Sequence, residues 1–121
     1  MKCILLVEDV EDNRELARLL LECEGYEVVE AHNGREAVEA VRARTFDLVL
    51  MDLSLPEMDG WEATRLIQGM ADRPGLPIVA VTAHAMSGDR ERVMAAGFCG
   101  YVSKPLDVGS FAGQVRGYLG A

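Results

Sequence analysis

Several short apolar runs of the chain end in a side chain that can ionise or donate a hydrogen bond. These side chains are Glu8 and Asp9 after CILLV, Asp52 after LVLM, Thr82 after IVAV, and Lys104 after GYVS. The set holds three carboxylates but one ammonium group. Two like charges about 4 Å apart repel by roughly 4 kcal/mol at an effective dielectric constant near 20. Three neighbouring carboxylates would therefore need more positive charge than Lys104 supplies.

A divalent cation would supply that charge. Carboxylate oxygens with room for water suit Mg²⁺, and the set contains no His or Cys, which argues against zinc. Taken singly, each residue has an ordinary alternative. Asp52 could be a turn or helix-cap residue, and Glu8 and Asp9 could be acids at a helix start. Lys104 alone could be a surface charge, and Thr82 alone a turn hydroxyl, so a site exists only if the fold brings the set together.

The hydrophobic pattern alternates between strands and helices along the chain. We predict strands at residues 3–7, 26–31, 47–51, 77–81 and 100–103, and helices at 12–24, from 33, from 59, at 87–96 and after 107. This alternation predicts an α/β domain with a parallel sheet. The first, third and fourth strands are nearly continuous apolar runs, which is typical of strands that helices cover on both faces.

Three helices carry a candidate N-cap residue, namely Asp12, Asn33 and Asp59. For the first helix, we predict an inward stripe at i, i+3, i+4 and i+7. That stripe is Leu16, Leu19, Leu20 and Cys23.

In a parallel sheet, the carboxyl ends of all strands lie along one edge. Open α/β sheets bind their ligands beyond that edge. The polar side chains that follow the inner strands should therefore converge on one cleft. This convergence favours an acidic metal site over the separate alternatives.

The chain has 121 residues and a formal net charge of −8, from 12 basic and 20 acidic residues. This length suits one domain, residues 1–121. The acidic balance disfavours nucleic acid, which needs clustered Lys and Arg, and it disfavours anionic membranes. The apolar runs are too short to cross a bilayer, and the N-terminus lacks a signal-peptide pattern. We therefore expect a cytoplasmic protein that binds neither nucleic acid nor membranes.

Four motifs, LLVED, LVLMDLSLPEMDG, IVAVTA and YVSKP, occur in this order over nearly the full length. With these motifs the chain resembles the receiver domain of two-component response regulators. In detail it is similar to stand-alone regulators of the cell-cycle type and to receivers of hybrid histidine kinases. The resemblance implies a flavodoxin-like (βα)5 fold, a doubly wound parallel sheet with strand order 2-1-3-4-5.

The same resemblance implies that Asp52 is the phosphoacceptor. Asp9 and Asp52 would bind Mg²⁺ directly, together with the backbone carbonyl of Ser54, and Glu8 would hold the ion through water. A carboxylate can attack phosphorus and form an acyl phosphate. Transfer then depends mainly on stabilising the charge of the phosphoryl oxygens.

Further residues take roles by resemblance. Thr82 would donate a hydrogen bond to the phosphoryl group, and Lys104 would pair with it. Tyr101 would be the switch aromatic that reports the phosphorylation state. Pro105 would hold the turn that carries Lys104, through a cis bond between the two. His84 lies two residues after Thr82 and is either a ring near the cleft mouth or an exposed loop residue.

The resemblance implies a phosphorelay signalling protein. It would take a phosphoryl group from a sensor histidine kinase or a histidine phosphotransfer protein and then bind a downstream protein partner. It would not turn over an external substrate, although it would catalyse transfer to its own Asp and its own dephosphorylation. Two alternatives are a small Mg²⁺-dependent phosphohydrolase with an aspartyl nucleophile and a pseudo-receiver that serves as a docking scaffold.

Overall fold

The computed structural model describes residues 1–53, 58–70, 75–82 and 89–119, with the side chains of residues 89 and 90 outside this description. Within these ranges, five strands alternate with five helices. The strands are β1 (Cys3–Val7), β2 (Glu27–Ala31), β3 (Leu48–Asp52), β4 (Ile78–Thr82) and β5 (Gly100–Ser103). The helices are α1 (Glu11–Cys23), α2 (Gly34–Ala43), α3 (Gly60–Gln68), α4 (Asp89–Ala95) and α5 (Phe111–Leu119).

The strands form one parallel sheet in the order β2-β1-β3-β4-β5. This order confirms the predicted flavodoxin-like topology. The register aligns the strand ends: Val7 pairs with Met51, and Asp52 pairs with Val81. The residues that follow β1, β3 and β4 therefore emerge at one edge of the sheet, as the sequence predicts.

Successive side chains of a strand point to opposite faces, so each inner strand feeds two cores. Leu5, Val49 and Ala80 pack on the side of α2, α3 and α4. Ile4 and Leu50 pack on the side of α1 and α5. Every residue of β1, β3 and β4 is buried. Burial of one Leu or Ile side chain contributes about 1.5–3 kcal/mol, so the sheet is a firm base for groups at its edge.

Two of the predicted helix caps are confirmed. Asn33 accepts a hydrogen bond from the Glu36 amide at 2.8 Å, and Asp59 accepts one from the Glu62 amide at 2.9 Å. The third was wrong. The residue before α1 is Val10, without a side-chain cap, and Asp12 lies in the first turn, where its charge favours the helix dipole.

The predicted inward stripe of α1 was wrong for Leu16, Leu19 and Cys23, which are exposed, whereas Leu20 is half-buried and packs against the core as predicted. The buried residues are Ala17 and Leu21, whereas Leu16 and Leu19 are 37% and 49% exposed. A small residue at position 17 lets the helix approach the sheet closely, with Leu21 on the inner face and Leu16 and Leu19 on the outer one. Among the described residues, no helix combines the length and apolar content needed to cross a membrane.

Candidate functional site

Asp52 is the last residue of β3, and only 3% of it is exposed. The next residue stays in register, since the Leu53 amide donates to the Val81 carbonyl at 3.2 Å. Helix α3 begins close to this strand end. The Gly60 backbone lies so near the Asp52 carbonyl that an added Cβ would overlap it. The carboxylate of Asp52 is therefore held at a fixed point of the sheet edge, with little access to bulk water.

Glu8 and Asp9 follow β1 directly. The Glu8 amide donates to the Ala31 carbonyl at 3.0 Å, and Glu8 Oε2 accepts from the Val10 amide at 3.2 Å. Glu8 is 4% exposed, whereas Asp9 is exposed. One carboxylate oxygen from each of Glu8, Asp9 and Asp52 lies within 4.8 Å of the others. The structure thus brings the three predicted acids together.

Lys104 reaches the same point from the end of β5. Its Nζ lies 2.8 Å from Glu8 Oε1 and 3.0 Å from Asp52 Oδ2. Its backbone amide donates to the Thr82 carbonyl at 2.8 Å, which ties the turn to β4. The bond between Lys104 and Pro105 is cis, as the resemblance implies. One ammonium group therefore bridges two buried carboxylates.

The electrostatics of the site reflect the burial of its charged groups and the close contacts between them. Burial raises the pKa of the Glu8 carboxyl to about 7; the Lys104 hydrogen bond opposes this rise, and the Asp52 carboxylate adds to it. Burial lowers the pKa of Lys104, but its bonds to Glu8 and Asp52 outweigh that effect, so the net pKa lies above its ordinary value. Both shifts favour extra protons at the site.

The residues present fit a divalent cation such as Mg²⁺. The donor set is three carboxylates with oxygen atoms close enough to share one ion, and two of the three are buried. Hard oxygen donors suit Mg²⁺, and a bound cation would oppose the burial and the Asp52 charge that raise the pKa of Glu8.

Thr82 and Tyr101 lie on adjacent strands. Thr82 ends β4 and is 5% exposed. It pairs with Ser103, while Tyr101 pairs with Ala80, so Thr82 and Tyr101 project from the same face, one step apart. The half-buried Tyr101 packs on the core that faces α2, α3 and α4.

Two predicted residues, Ser54 and His84, lie outside the described residues.

One residue next to the site, Arg14, was not predicted from the sequence. Arg14 of α1 donates from its terminal nitrogen to the Glu8 carbonyl at 3.1 Å. In sequence it looks like an ordinary polar residue of a surface helix, and no motif marks it.

Comparison with known proteins agrees with this geometry. A sequence model of the response regulator receiver domain matches residues 4–116. The polar-differentiation response regulator DivK of Brucella anthropi is 42% identical over 119 residues, which cover 98% of this chain and 97% of that protein.

Solved structures show the same relationship. The receiver domain of the sensor histidine kinase PA1611 from Pseudomonas aeruginosa PAO1, solved with a magnesium ion in its active site cleft, has a TM-score of 0.90 and 35% identity. The match covers 99% of this chain and 98% of that one. The chemotaxis protein CheY4 of Vibrio cholerae has a TM-score of 0.91 and 25% identity, with 98% of each chain covered.

These matches span almost the whole chain and favour neither the phosphohydrolase nor the docking-scaffold alternative. Sequence, strand order and the acidic cluster at the sheet edge all agree. The chain belongs to the response regulator receiver domain family.

Proposed function

We propose that this receiver domain, residues 1–121, accepts a phosphoryl group onto Asp52 from a phosphohistidine of a histidine kinase or a histidine phosphotransfer protein. One observation carries the proposal. The buried Asp52 carboxylate lies 3.0 Å from Lys104 Nζ, and oxygens of Glu8 and Asp9 lie within 4.8 Å of it and of each other. A carboxylate that can act as a nucleophile thus has an ammonium group beside it and two further carboxylates with which it could share a cation.

In the transfer step, an Asp52 oxygen forms a bond to phosphorus while the bond from phosphorus to the imidazole nitrogen of the donor breaks. The nitrogen leaves with the bonding electron pair. A carboxylate oxygen carries no proton that must be removed before it attacks, so Asp52 needs no general base. We propose that the domain itself catalyses this step and the later loss of the phosphoryl group to water, and does not turn over external substrates.

We propose that Glu8, Asp9 and Asp52 hold Mg²⁺, with the Ser54 carbonyl as a further ligand. The magnesium ion in the active site cleft of the Pseudomonas receiver supports this assignment. Bound there, Mg²⁺ would neutralise charge on the phosphoryl oxygens.

Lys104 and Thr82 complete the proposed site. The Lys104 ammonium group already spans Glu8 and Asp52, so it is within reach of a phosphoryl group on Asp52. The Thr82 hydroxyl, at the end of the neighbouring strand, donates the remaining hydrogen bond. Together they stabilise negative charge in the transition state and in the product.

The proposed partners are the phosphohistidine donor and a downstream protein that recognises the phosphorylated surface, both in the cytoplasm. Nucleic acid is not a proposed partner, since the net charge is −8. His84 is proposed to lie near the cleft mouth, where its ring would affect access of the hydrolytic water.

Incubation with a small phosphodonor and Mg²⁺ tests the assignment. We expect the wild-type protein to gain the mass of one phosphoryl group, in an adduct that base removes, because the product is an acyl phosphate. Asp52→Asn should gain none. Asp12→Asn, which makes the same change at an exposed residue of α1, is the matched control and should be labelled like the wild type. Equal labelling of Asp52→Asn would contradict the proposal.

A further inference from the structure

The Arg14 side chain links the acidic loop after β1 to strand β2. Its Nε lies 2.8 Å from Glu30 Oε2, and a terminal nitrogen donates to the Glu8 carbonyl at 3.1 Å. Only 14% of the side chain is exposed, against 33% for Arg18 one turn later. The guanidinium is a rigid fork with several donors, so it can serve both acceptors in one fixed orientation.

Glu30 is itself firmly held. Arg14 pairs with its Oε2, and Arg18 pairs with its Oε1 at 3.1 Å. Glu30 precedes Ala31, whose carbonyl accepts the Glu8 amide at 3.0 Å. The backbone of Glu8 is thus fixed on both sides, by β2 at its amide and by Arg14 at its carbonyl.

This arrangement bears on the orientation of the Asp9 side chain. A peptide unit is planar, so the Glu8 carbonyl and the Asp9 amide and Cα share one plane. A hydrogen bond that orients the carbonyl also orients the start of the Asp9 side chain. Asp9 is exposed, so core packing does not perform this task. Without Arg14, the peptide could rotate and move the Asp9 carboxylate away from Glu8 and Asp52.

We propose that Arg14, anchored by Glu30, is a positioning residue for the metal site: it orients the Glu8–Asp9 peptide so that the Asp9 carboxylate meets those of Glu8 and Asp52. The inference rests on the proposed function, since it takes these three carboxylates as the Mg²⁺ site. Arg14 touches neither the ion nor the phosphoryl group. Its effect appears in the affinity for Mg²⁺.

The sign of the effect separates positioning from simple electrostatics. Arg14 is a cation beside a cation site, so Coulomb's law alone predicts that Arg14→Met tightens Mg²⁺ binding. Positioning predicts the opposite, a loss of about tenfold, as is common when a group that orients a metal ligand is removed. Arg18→Met is the matched control, since Arg18 shares Glu30 but does not contact the loop.

The experiment is calorimetric Mg²⁺ titration of both variants and the wild type, with thermal unfolding alongside. We expect Arg14→Met to bind about tenfold more weakly and Arg18→Met to bind as the wild type does or slightly more tightly. At saturating Mg²⁺, phosphorylation of Arg14→Met should recover. If Arg14→Met unfolds more easily but binds Mg²⁺ as well as the wild type, Arg14 is merely structural and the proposal is overturned.

Arg14→Lys keeps the test decisive if the methionine variant does not fold. It retains the charge but replaces the fork with a single ammonium group, so we expect weaker Mg²⁺ binding, and wild-type affinity would contradict the proposal. Failure of the proposed function looks different. In that case the wild type itself would not bind Mg²⁺, or Asp9→Asn would bind it equally well.

Discussion

The ammonium group of Lys104 contacts two buried carboxylates, Glu8 at 2.8 Å and Asp52 at 3.0 Å. Asp9 is the third carboxylate of the cluster. One positive charge therefore faces three acidic groups. Burial, with the nearby Asp52 carboxylate adding to it, raises the pKa of Glu8 to about 7. The metal-free domain should be less stable than its core packing alone would make it.

We predict that the wild type has a lower free energy of unfolding than Asp52→Asn in chelator, and a higher one in saturating Mg²⁺. In chelator, Asp52→Asn should raise the free energy of unfolding by about 1 kcal/mol, because it removes one repelling charge while Lys104 keeps Glu8 as a partner. Mg²⁺ at a hundred times its Kd should raise the free energy of unfolding of the wild type by about 2.7 kcal/mol, which is more than the difference between the two proteins in chelator. Urea denaturation in both buffers measures this.

The exposed Asp12→Asn serves as the control and should respond to Mg²⁺ as the wild type does. If Asp52→Asn were less stable than the wild type in chelator, charge repulsion would not dominate the metal-free site.

The sequence predicted which acids and which lysine would meet, because position at a strand end determines location in a parallel sheet. It could not predict Arg14. That role depends on Glu30, sixteen residues away on β2, and on the direction of one backbone carbonyl. Neither leaves a pattern in the sequence. Residues that act through backbone contacts are visible only in the structure.

At the scale of elements, the alternation of strands and helices and two helix starts followed from the sequence pattern, and the strand order followed from the family resemblance, but the inner face of α1 did not follow from either. This helix has apolar residues on more than one side, so periodicity alone permits several faces. The sheet selects the face with Ala17 and Leu21, because a small side chain permits close packing. Local pattern predicts that a helix exists better than it predicts which side is buried.

Helix α5 and the neighbouring strand β5 each offer one glycine substitution, and the two form a matched pair. An added Cβ at Gly113 would meet no described atom within 4 Å beyond its own surroundings in the helix, so Gly113→Ala should stabilise the domain by about 0.5–1 kcal/mol. At Gly100 in β5, a Cβ would overlap the Tyr118 ring that packs there. Gly100→Ala should therefore destabilise the domain by about 1–3 kcal/mol. Chemical denaturation measures both, and equal effects would refute this packing of α5 on β5.

We propose that strands β4 and β5 carry the switch. When a phosphoryl mimic binds at Asp52, we expect the Thr82 hydroxyl to move toward it and Tyr101 to rotate into the vacated space. NMR of the Tyr101 ring should show a smaller change in Thr82→Ala at equal occupancy. Ser103→Ala is the control. It removes a hydroxyl from the residue that pairs with Thr82 in the sheet register, and the Tyr101 ring should change in this variant as it does in the wild type. An unchanged Tyr101 ring in the mimic-bound wild type would exclude this route.

At the scale of the whole molecule, the charge balance disfavours one class of partner, nucleic acid. With 20 acidic and 12 basic residues, the domain should repel duplex DNA. We predict no binding at protein concentrations of about 1–100 μM, the range in which non-specific DNA binders associate. Fluorescence anisotropy at low and high salt tests this. Binding that weakens as salt increases would contradict it.

The chain has one tryptophan, Trp61, in the first turn of α3. Its ring meets Phe98 edge-on, with centroids 5.6 Å apart, and the Arg92 guanidinium of α4 lies 5.1 Å from its centroid. Indole emission depends on such neighbours. Trp61 is therefore an intrinsic fluorescent probe of the contact between α3 and α4, and relative movement of these two helices can be followed without attaching a dye.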